Sequence, residues 1–198
     1  MKINPKDIIY PTFLLVAICL VMSAALVGTN SLTEAKIAEL NAKTMEEAKK
    51  EVLPDADSFE DIEVTQELLD AAGVTEDISL VSAYKAANDA GYVLSTSSKG
   101  YGGQVGVMTG ISSDGQLAGV KVVSQNETPG LGQKALSNDF TDQYKMAIPE
   151  GGLEVTKTGK SADNQIEAIS GATITSRSVT NSVNDAIAIY NQIAGGAN

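Results

Sequence analysis

The most constraining feature of the chain is an uncharged stretch near its N-terminus. No Asp, Glu, Lys or Arg occurs from Ile8 to Thr33, and the run IIYPTFLLVAICLVMSAALV inside it is strongly apolar. A helix needs about 20 apolar residues to cross the roughly 30 Å hydrocarbon core of a bilayer. Residues 1–33 are therefore predicted to form a short N-terminal segment followed by one transmembrane helix.

The charges that flank this stretch predict its orientation. Lys2 and Lys6 precede it, and basic residues favour the cytoplasmic side of a membrane. We expect a single-pass protein of the inner (cytoplasmic) membrane with its N-terminus in the cytoplasm and its soluble part outside. A cleaved signal peptide is the alternative, because MSAAL contains small residues suited to cleavage. The apolar core of a signal peptide, however, usually spans only about 7–15 residues.

A helical stalk is predicted to follow the membrane helix. The run SLTEAKIAELNAKTMEEAKKEVLP is rich in helix-forming residues and should stop before Pro54. Residues 34–77 are interpreted as this stalk and a connector.

From residue 78 the periodicity of the sequence changes. ISLVSAYKA, GYVLSTSS, GQVGVMTGI and QLAGVKVVS are typical of strands, and Asp114-Gly115 between the last two is a hairpin signal. QKALSNDFTDQYKMAI and the segment from Val179 to Ile193 have helical patterns. Residues 78–198 are thus predicted to form an α+β domain, an antiparallel β-meander packed with helices.

Composition excludes several classes of function. The chain has no His and a single Cys, Cys19, which removes Ser-His-Asp catalysis, His-based metal sites and all-Cys clusters. Its net charge of −11 argues against nucleic acid as a partner. No catalytic residue and no metal ligand is predicted, so any redox chemistry requires an organic cofactor.

A glycine-containing turn, NETPGLGQK, follows the fourth predicted strand. Pro129-Gly130 favours a tight turn, and Gly132 permits close approach of the backbone to a flat ligand. Pro-Gly turns after strands are common, so this motif alone does not distinguish a binding site from an ordinary turn.

A second motif, SGATITS, precedes the last predicted helix. One interpretation is a simple turn in which Thr175 or Ser176 caps the helix. The other is an anion site, because a helix N-terminus offers free N–H groups and a positive dipole end. In that case Gly171 and Ala172 leave room for the ligand and Arg177 is available to pair with an anion. Both interpretations use the same geometry.

Taken together, these motifs resemble a known family. SGAT at Ser170–Thr173, ETPGLG at Glu127–Gly132 and KGYGG at Lys99–Gly103 are similar to the G subunit of Rnf-type ion-translocating ferredoxin:NAD oxidoreductases. They also resemble the C subunit of the sodium-translocating NADH:quinone reductase, which shares the same FMN-binding domain. The family usually has an aspartate three residues before the first residue of SGAT, where this chain has Glu167.

The resemblance implies a cofactor and its attachment point. In that family the threonine of the SGAT motif carries FMN through a phosphoester, which here is Thr173. A separate flavin transferase that uses FAD and Mg²⁺ makes the bond, so the cluster of hydroxyls needs no local base. The other residues expected to contact the cofactor are Ser170, Gly171, Ala172, Ser176, Arg177, Glu127, Thr128, Pro129, Gly130, Leu131 and Gly132.

The implied function is a non-catalytic electron relay that couples electron transfer to ion transport within a membrane complex. Implied partners are integral membrane subunits, a second flavoprotein, and iron–sulfur and NADH-binding subunits. Two alternatives remain at this point: a flavin-binding sensory or regulatory ectodomain, and a cofactor-free extracytoplasmic scaffold.

Overall fold

The computed structural model describes residues 5–75 and 80–195, with backbone alone for residues 5–8. Lys2, Ile78 and Ser79 and the end of the GGAN tail lie outside the described residues. The chain divides into two compact units, residues 1–44 and residues 45–198. The elements are α1 (Pro5–Val52), β1 (Phe59–Ile62), α2 (Gln66–Ala72), β2 (Ser82–Ala86), β3 (Gly91–Lys99), β4 (Gln104–Ser112), β5 (Leu117–Ser124), a 3₁₀ turn (Gly132–Leu136), α3 (Asn138–Thr141), a 3₁₀ turn (Asp142–Tyr144), β6 (Glu154–Thr156), β7 (Gln165–Glu167) and α4 (Thr173–Gly195).

The first unit consists of most of α1. Within Ile9–Val52, an 18-residue stretch has a mean hydropathy of 2.3 and no buried residue. The helix is therefore long and apolar enough to cross a membrane. Large apolar side chains such as Phe13 and Leu20 are exposed along it. The helix ends at Val52, just before Pro54, as the sequence predicted.

The second unit is built on a five-stranded antiparallel sheet with the strand order β1-β2-β3-β4-β5. This confirms the predicted meander and the α+β class. Gly115 makes the predicted hairpin turn between β4 and β5, with a φ of 76° and an N–H that donates to the Ser112 carbonyl at 2.9 Å. The strand β1 was not predicted; it pairs with β2 at the edge of the sheet.

The sheet is covered on both faces. Successive side chains of a strand lie on opposite faces, so Leu94 of β3 and Val107 of β4 pack with α4, whereas Val93 and Met108 pack with the end of α1. Burial on both faces explains why β3 and β4 are almost continuously buried.

A glycine pair in the sheet holds the end of α1. Gly110 of β4 and Gly119 of β5 lie opposite each other, and Val52 rests on both. A Cβ on Gly119 would lie 2.9 Å from Val52 Cα, and one on Gly110 would overlap the Val52 carbonyl oxygen. Lys49 adds a second contact, with its Nζ 3.6 Å from the centroid of the Tyr84 ring.

Two predicted helices differ from those observed. The segment from 133 to 148 is not one helix, because Ser137 is extended, with a ψ of 144°, and separates a 3₁₀ turn from α3. The last helix begins at Thr173, six residues before the predicted start at Val179. Its first turns are rich in Ser and Thr, which are weak helix formers. Tertiary hydrogen bonds hold them, including one from Ser178 Oγ to the Ser98 carbonyl at 2.8 Å.

Candidate functional site

A cleft of about 580 Å³ opens where three segments meet: the loop between β3 and β4, the turn after β5, and the first turn of α4. This volume is in the range typical of cofactor and small-molecule sites. The lining residues are Tyr101, Glu127, Thr128, Leu131, Gly132, Gly171, Ala172, Thr173, Ile174 and Thr175.

Thr173 is the first residue of α4 and is half-buried in the wall of the cleft. The N–H of Ser176 donates to the Ala172 carbonyl at 3.0 Å, which starts the hydrogen-bond ladder of the helix. The N–H groups of Thr173, Ile174 and Thr175 precede that bond and therefore have no intrahelical acceptor. The cleft thus contains a helix N-terminus, a favourable place for a phosphate or another anion.

Glu127 joins the three segments of the cleft. One carboxylate oxygen accepts hydrogen bonds from the N–H of Tyr101 at 2.8 Å and of Gly102 at 3.0 Å. The other oxygen accepts from the hydroxyl of Thr175 at 2.7 Å. The residue is only 4% exposed, so these charge-assisted bonds are largely shielded from water.

The glycines of two motifs make this arrangement possible. A Cβ on Gly132 would lie 2.5 Å from a Glu127 carboxylate oxygen and 2.8 Å from Thr175 Oγ1. A Cβ on Gly100 would overlap the other carboxylate oxygen of Glu127. Any side chain at these two positions would displace the carboxylate, which accounts for glycine in both KGYGG and ETPGLG.

The turn of ETPGLG has the predicted Pro-Gly geometry. The N–H of Leu131 donates to the Thr128 carbonyl at 3.2 Å, and Gly130 has a φ of 76°. Gly after Pro with a positive φ is typical of a type II turn. The turn carries Thr128 and Leu131 to the rim of the cleft.

Thr175 and Ser176 do not cap α4, so that prediction was wrong. The helix starts earlier, and both residues lie inside its first turns. Thr175 donates to Glu127, whereas Ser176 Oγ accepts from the Ile169 N–H and donates to the Ala172 carbonyl, both at 3.0 Å. The Ser176 hydroxyl therefore fixes the turn that precedes Thr173, whereas the Thr175 hydroxyl ties α4 to the turn after β5.

Comparison with known proteins identifies the family. Residues 100–188 match the family model described as FMN-binding domain. The chain is 36% identical, over 98% of its own length and 97% of the other, to the G subunit of the Na⁺-translocating ferredoxin:NAD⁺ oxidoreductase complex of Acetobacterium woodii. It is 33% identical, over 93% and 95% of the two lengths, to the G subunit of the ion-translocating oxidoreductase complex of Methanosarcina acetivorans.

The chain belongs to this G-subunit family. NqrC of Shewanella oneidensis has a similar fold, with a TM-score of 0.57 and 17% identity over 78% of this chain and 99% of the other. Membership of the G-subunit family does not favour the sensory or scaffold alternatives.

The cleft has the chemistry that an FMN requires. All residues that line it fall within the matched range of the FMN-binding domain. The start of α4 suits the phosphate of FMN, and exposed apolar side chains at the rim suit a flat ring: Tyr101 (72% exposed), Ile174 (53%) and Leu131 (45%). Gly171 leaves space beside Leu131, since a Cβ there would lie 3.2 Å from Leu131 Cδ2.

The predicted cofactor residues divide into two groups in this fold. The cleft is lined by Glu127, Thr128, Leu131, Gly132, Gly171, Ala172 and Thr173. The others lie outside its lining: Pro129, Gly130, Ser170 and Arg177 are exposed and Ser176 is buried inside α4. The structure adds three residues that the sequence had not assigned, Tyr101, Ile174 and Thr175. Tyr101 lies within the KGYGG motif, which was the available signal.

Proposed function

We propose that the chain is the FMN-carrying electron-transfer subunit of an Rnf-type ion-translocating ferredoxin:NAD oxidoreductase complex. The observation that carries this proposal is the cleft, which contains Thr173 at a helix N-terminus and lies within the matched FMN-binding domain. Relatives that align along nearly the whole chain are named as G subunits of such complexes.

Thr173 is the proposed attachment point. The chain has no His, and Glu127 is bonded to other groups, so the Thr173 hydroxyl has no evident base of its own. A flavin transferase would take its proton and pass FMN from FAD to the Thr173 oxygen, breaking the pyrophosphate bond and releasing AMP. The start of α4 would stabilise the resulting phosphodiester charge.

The protein's role is to hold and surround the cofactor. The isoalloxazine ring supplies the electron chemistry when it is bound. The α4 N-terminus would hold the phosphate, and Tyr101, Leu131 and Ile174 would shield the ring from water. Glu127 keeps the three segments of the cleft together.

The membrane helix supports the proposed location of the protein and its assembly with membrane partners. Basic Lys2 and Lys6 ahead of the apolar stretch favour a cytoplasmic N-terminus and an extracytoplasmic flavin domain. Partners would be integral membrane subunits, a second flavoprotein, and iron–sulfur and NADH-binding subunits. Covalent attachment would keep the cofactor from diffusing away outside the cell.

The test is expression of the full-length chain with a flavin transferase, followed by denaturing electrophoresis. The wild type and the matched control Thr158→Ala should retain flavin fluorescence, since Thr158 is exposed, lies outside the cleft lining and belongs to neither motif. Thr173→Ala should fold but lose the fluorescence and the mass of FMN. A flavin mapped to Thr175 would move the attachment point but leave the carrier function. A wild type from its native host without covalent flavin would contradict both.

A further inference from the structure

Glu127 is the one acidic or basic side chain among the described residues that line the cleft. Its carboxylate accepts from two backbone N–H groups and one hydroxyl, and it is almost fully buried. An ionised carboxylate is an acceptor only, so this set of donors matches its charged form. A fixed negative charge therefore lies in the wall of the cleft.

This charge is poorly screened. Coulomb interactions are stronger in a buried, low-dielectric site than at the surface, and salt weakens them less. No Lys or Arg is among the described lining residues, and Arg177 is exposed outside the lining. The N–H dipoles around the carboxylate and the start of α4 offset part of the charge but do not remove it.

We propose that Glu127 lowers the reduction potential of the flavin in this cleft. The inference rests on the proposed function. Each electron that a partner subunit's redox centre adds to the ring brings negative charge toward the carboxylate of Glu127. Reduction is therefore less favourable than it would be beside a neutral side chain. Glu127 thus acts on the cofactor electrostatically, in addition to joining the three segments.

Glu127→Gln separates the charge from the structural contacts. The amide oxygen of the new side chain can still accept from the N–H groups of Tyr101 and Gly102, and its NH₂ group can donate to the Thr175 hydroxyl. The variant removes one negative charge and retains the shape of the side chain. The matched control is Glu60→Gln, which removes the same charge from an exposed position on β1.

The experiment is a redox titration of the flavin-loaded full-length protein in detergent, at fixed pH and ionic strength. Glu127→Gln should shift the midpoint potential to a more positive value, and high salt should not abolish the shift. Glu60→Gln should have the wild-type potential. Thermal unfolding of the flavin-free proteins, measured in parallel, should show that both variants fold.

Four results would overturn the inference. The first is a loaded Glu127→Gln protein with the wild-type potential. The second is a folded Glu127→Gln protein that cannot be loaded, which would assign Glu127 to attachment instead.

If Glu127→Gln does not fold, Thr175→Val replaces it. That variant keeps the charge but loses a donor, so its potential should become more negative. An unchanged or more positive potential in Thr175→Val is the third. The fourth is a wild type and Glu60→Gln that both lack flavin, which would remove the proposed function as well.

Discussion

Tyr144 ties α4 to the helical turns that follow β5. Its side chain is fully buried, its hydroxyl lies 2.8 Å from Thr180 Oγ1, and its ring meets that of Phe140 edge-on at 5.7 Å. Burial raises the pKa of the Tyr144 hydroxyl well above its ordinary value, and the hydrogen bond with Thr180 opposes this only in part. The fold therefore holds this phenol in its neutral form.

This raised pKa predicts alkaline sensitivity. Above about pH 10 the unfolded chain loses the phenolic proton while the folded chain keeps it. The unfolded state then binds fewer protons, so the free energy of unfolding falls by up to about 1.4 kcal/mol per pH unit for this one group. Tyr144→Phe should show a smaller fall than the wild type when unfolding temperatures are compared between about pH 8 and 11.

The control for this prediction is Tyr101→Phe. Tyr101 is 72% exposed, so Tyr101→Phe makes the same chemical change as Tyr144→Phe but at the surface. Equal pH dependence in the wild type and Tyr144→Phe would show that Tyr144 does not contribute to it.

At the scale of elements, the glycine pair fixes the packing of α1 against the sheet. Gly110→Ala would push a methyl group into the Val52 carbonyl, and neither backbone can easily give way. Overpacking of this kind typically costs about 1–3 kcal/mol. We expect Gly110→Ala to lower the unfolding temperature of the full-length protein in detergent.

Gly106→Ala on the same strand is the matched control. There the new Cβ would meet the Ser124 hydroxyl at 2.5 Å, and that side chain can rotate away. Its effect on the unfolding temperature should be clearly smaller. Similar losses in the two variants would mean that the contact with Val52 is not what makes Gly110→Ala destabilising.

Local sequence patterns were sufficient for some elements and not for others. The meander followed from alternating strands and from Asp114-Gly115, because hairpins are determined by neighbouring residues. The start of α4 did not follow from local patterns, because its side chains bond to residues far away in the chain. Ser178 bonds to Ser98, and Thr175 bonds to Glu127. Long-range hydrogen bonds of this kind leave no periodic pattern in the sequence.

The candidate site was predictable in part for a similar reason. The motifs pointed to the turn after β5 and to the start of α4, which both line the cleft. The contact of Glu127 with Tyr101 and Gly102 joins residues that are far apart in sequence. Sequence spacing could not show that this carboxylate bonds to protein donors.

At the scale of the whole molecule, the charges that flank the apolar helix predict on which side of the membrane the second unit lies. In cells with an intact inner membrane, a membrane-impermeant maleimide should label Lys157→Cys in a Cys19→Ser background. Lys157 is exposed in the second unit, which is predicted to lie outside. Asn4→Cys, which keeps Lys2 and Lys6, should be labelled in the same background only after permeabilisation. The reverse pattern would contradict the predicted orientation, and release of the protein by carbonate would contradict a retained anchor.

The contacts of α1 and α4 also have a consequence for biosynthesis. The end of α1 leaves the ribosome early, but Gly110 and Gly119, on which Val52 rests, are made about sixty residues later. At roughly 5–20 residues per second this is a delay of seconds. The cleft forms later still, because Tyr101 and Glu127 must wait for Thr175. The order of synthesis thus makes the cleft one of the last parts of the domain to be completed. Until the cleft is complete, Thr173 is part of a chain that has not finished folding.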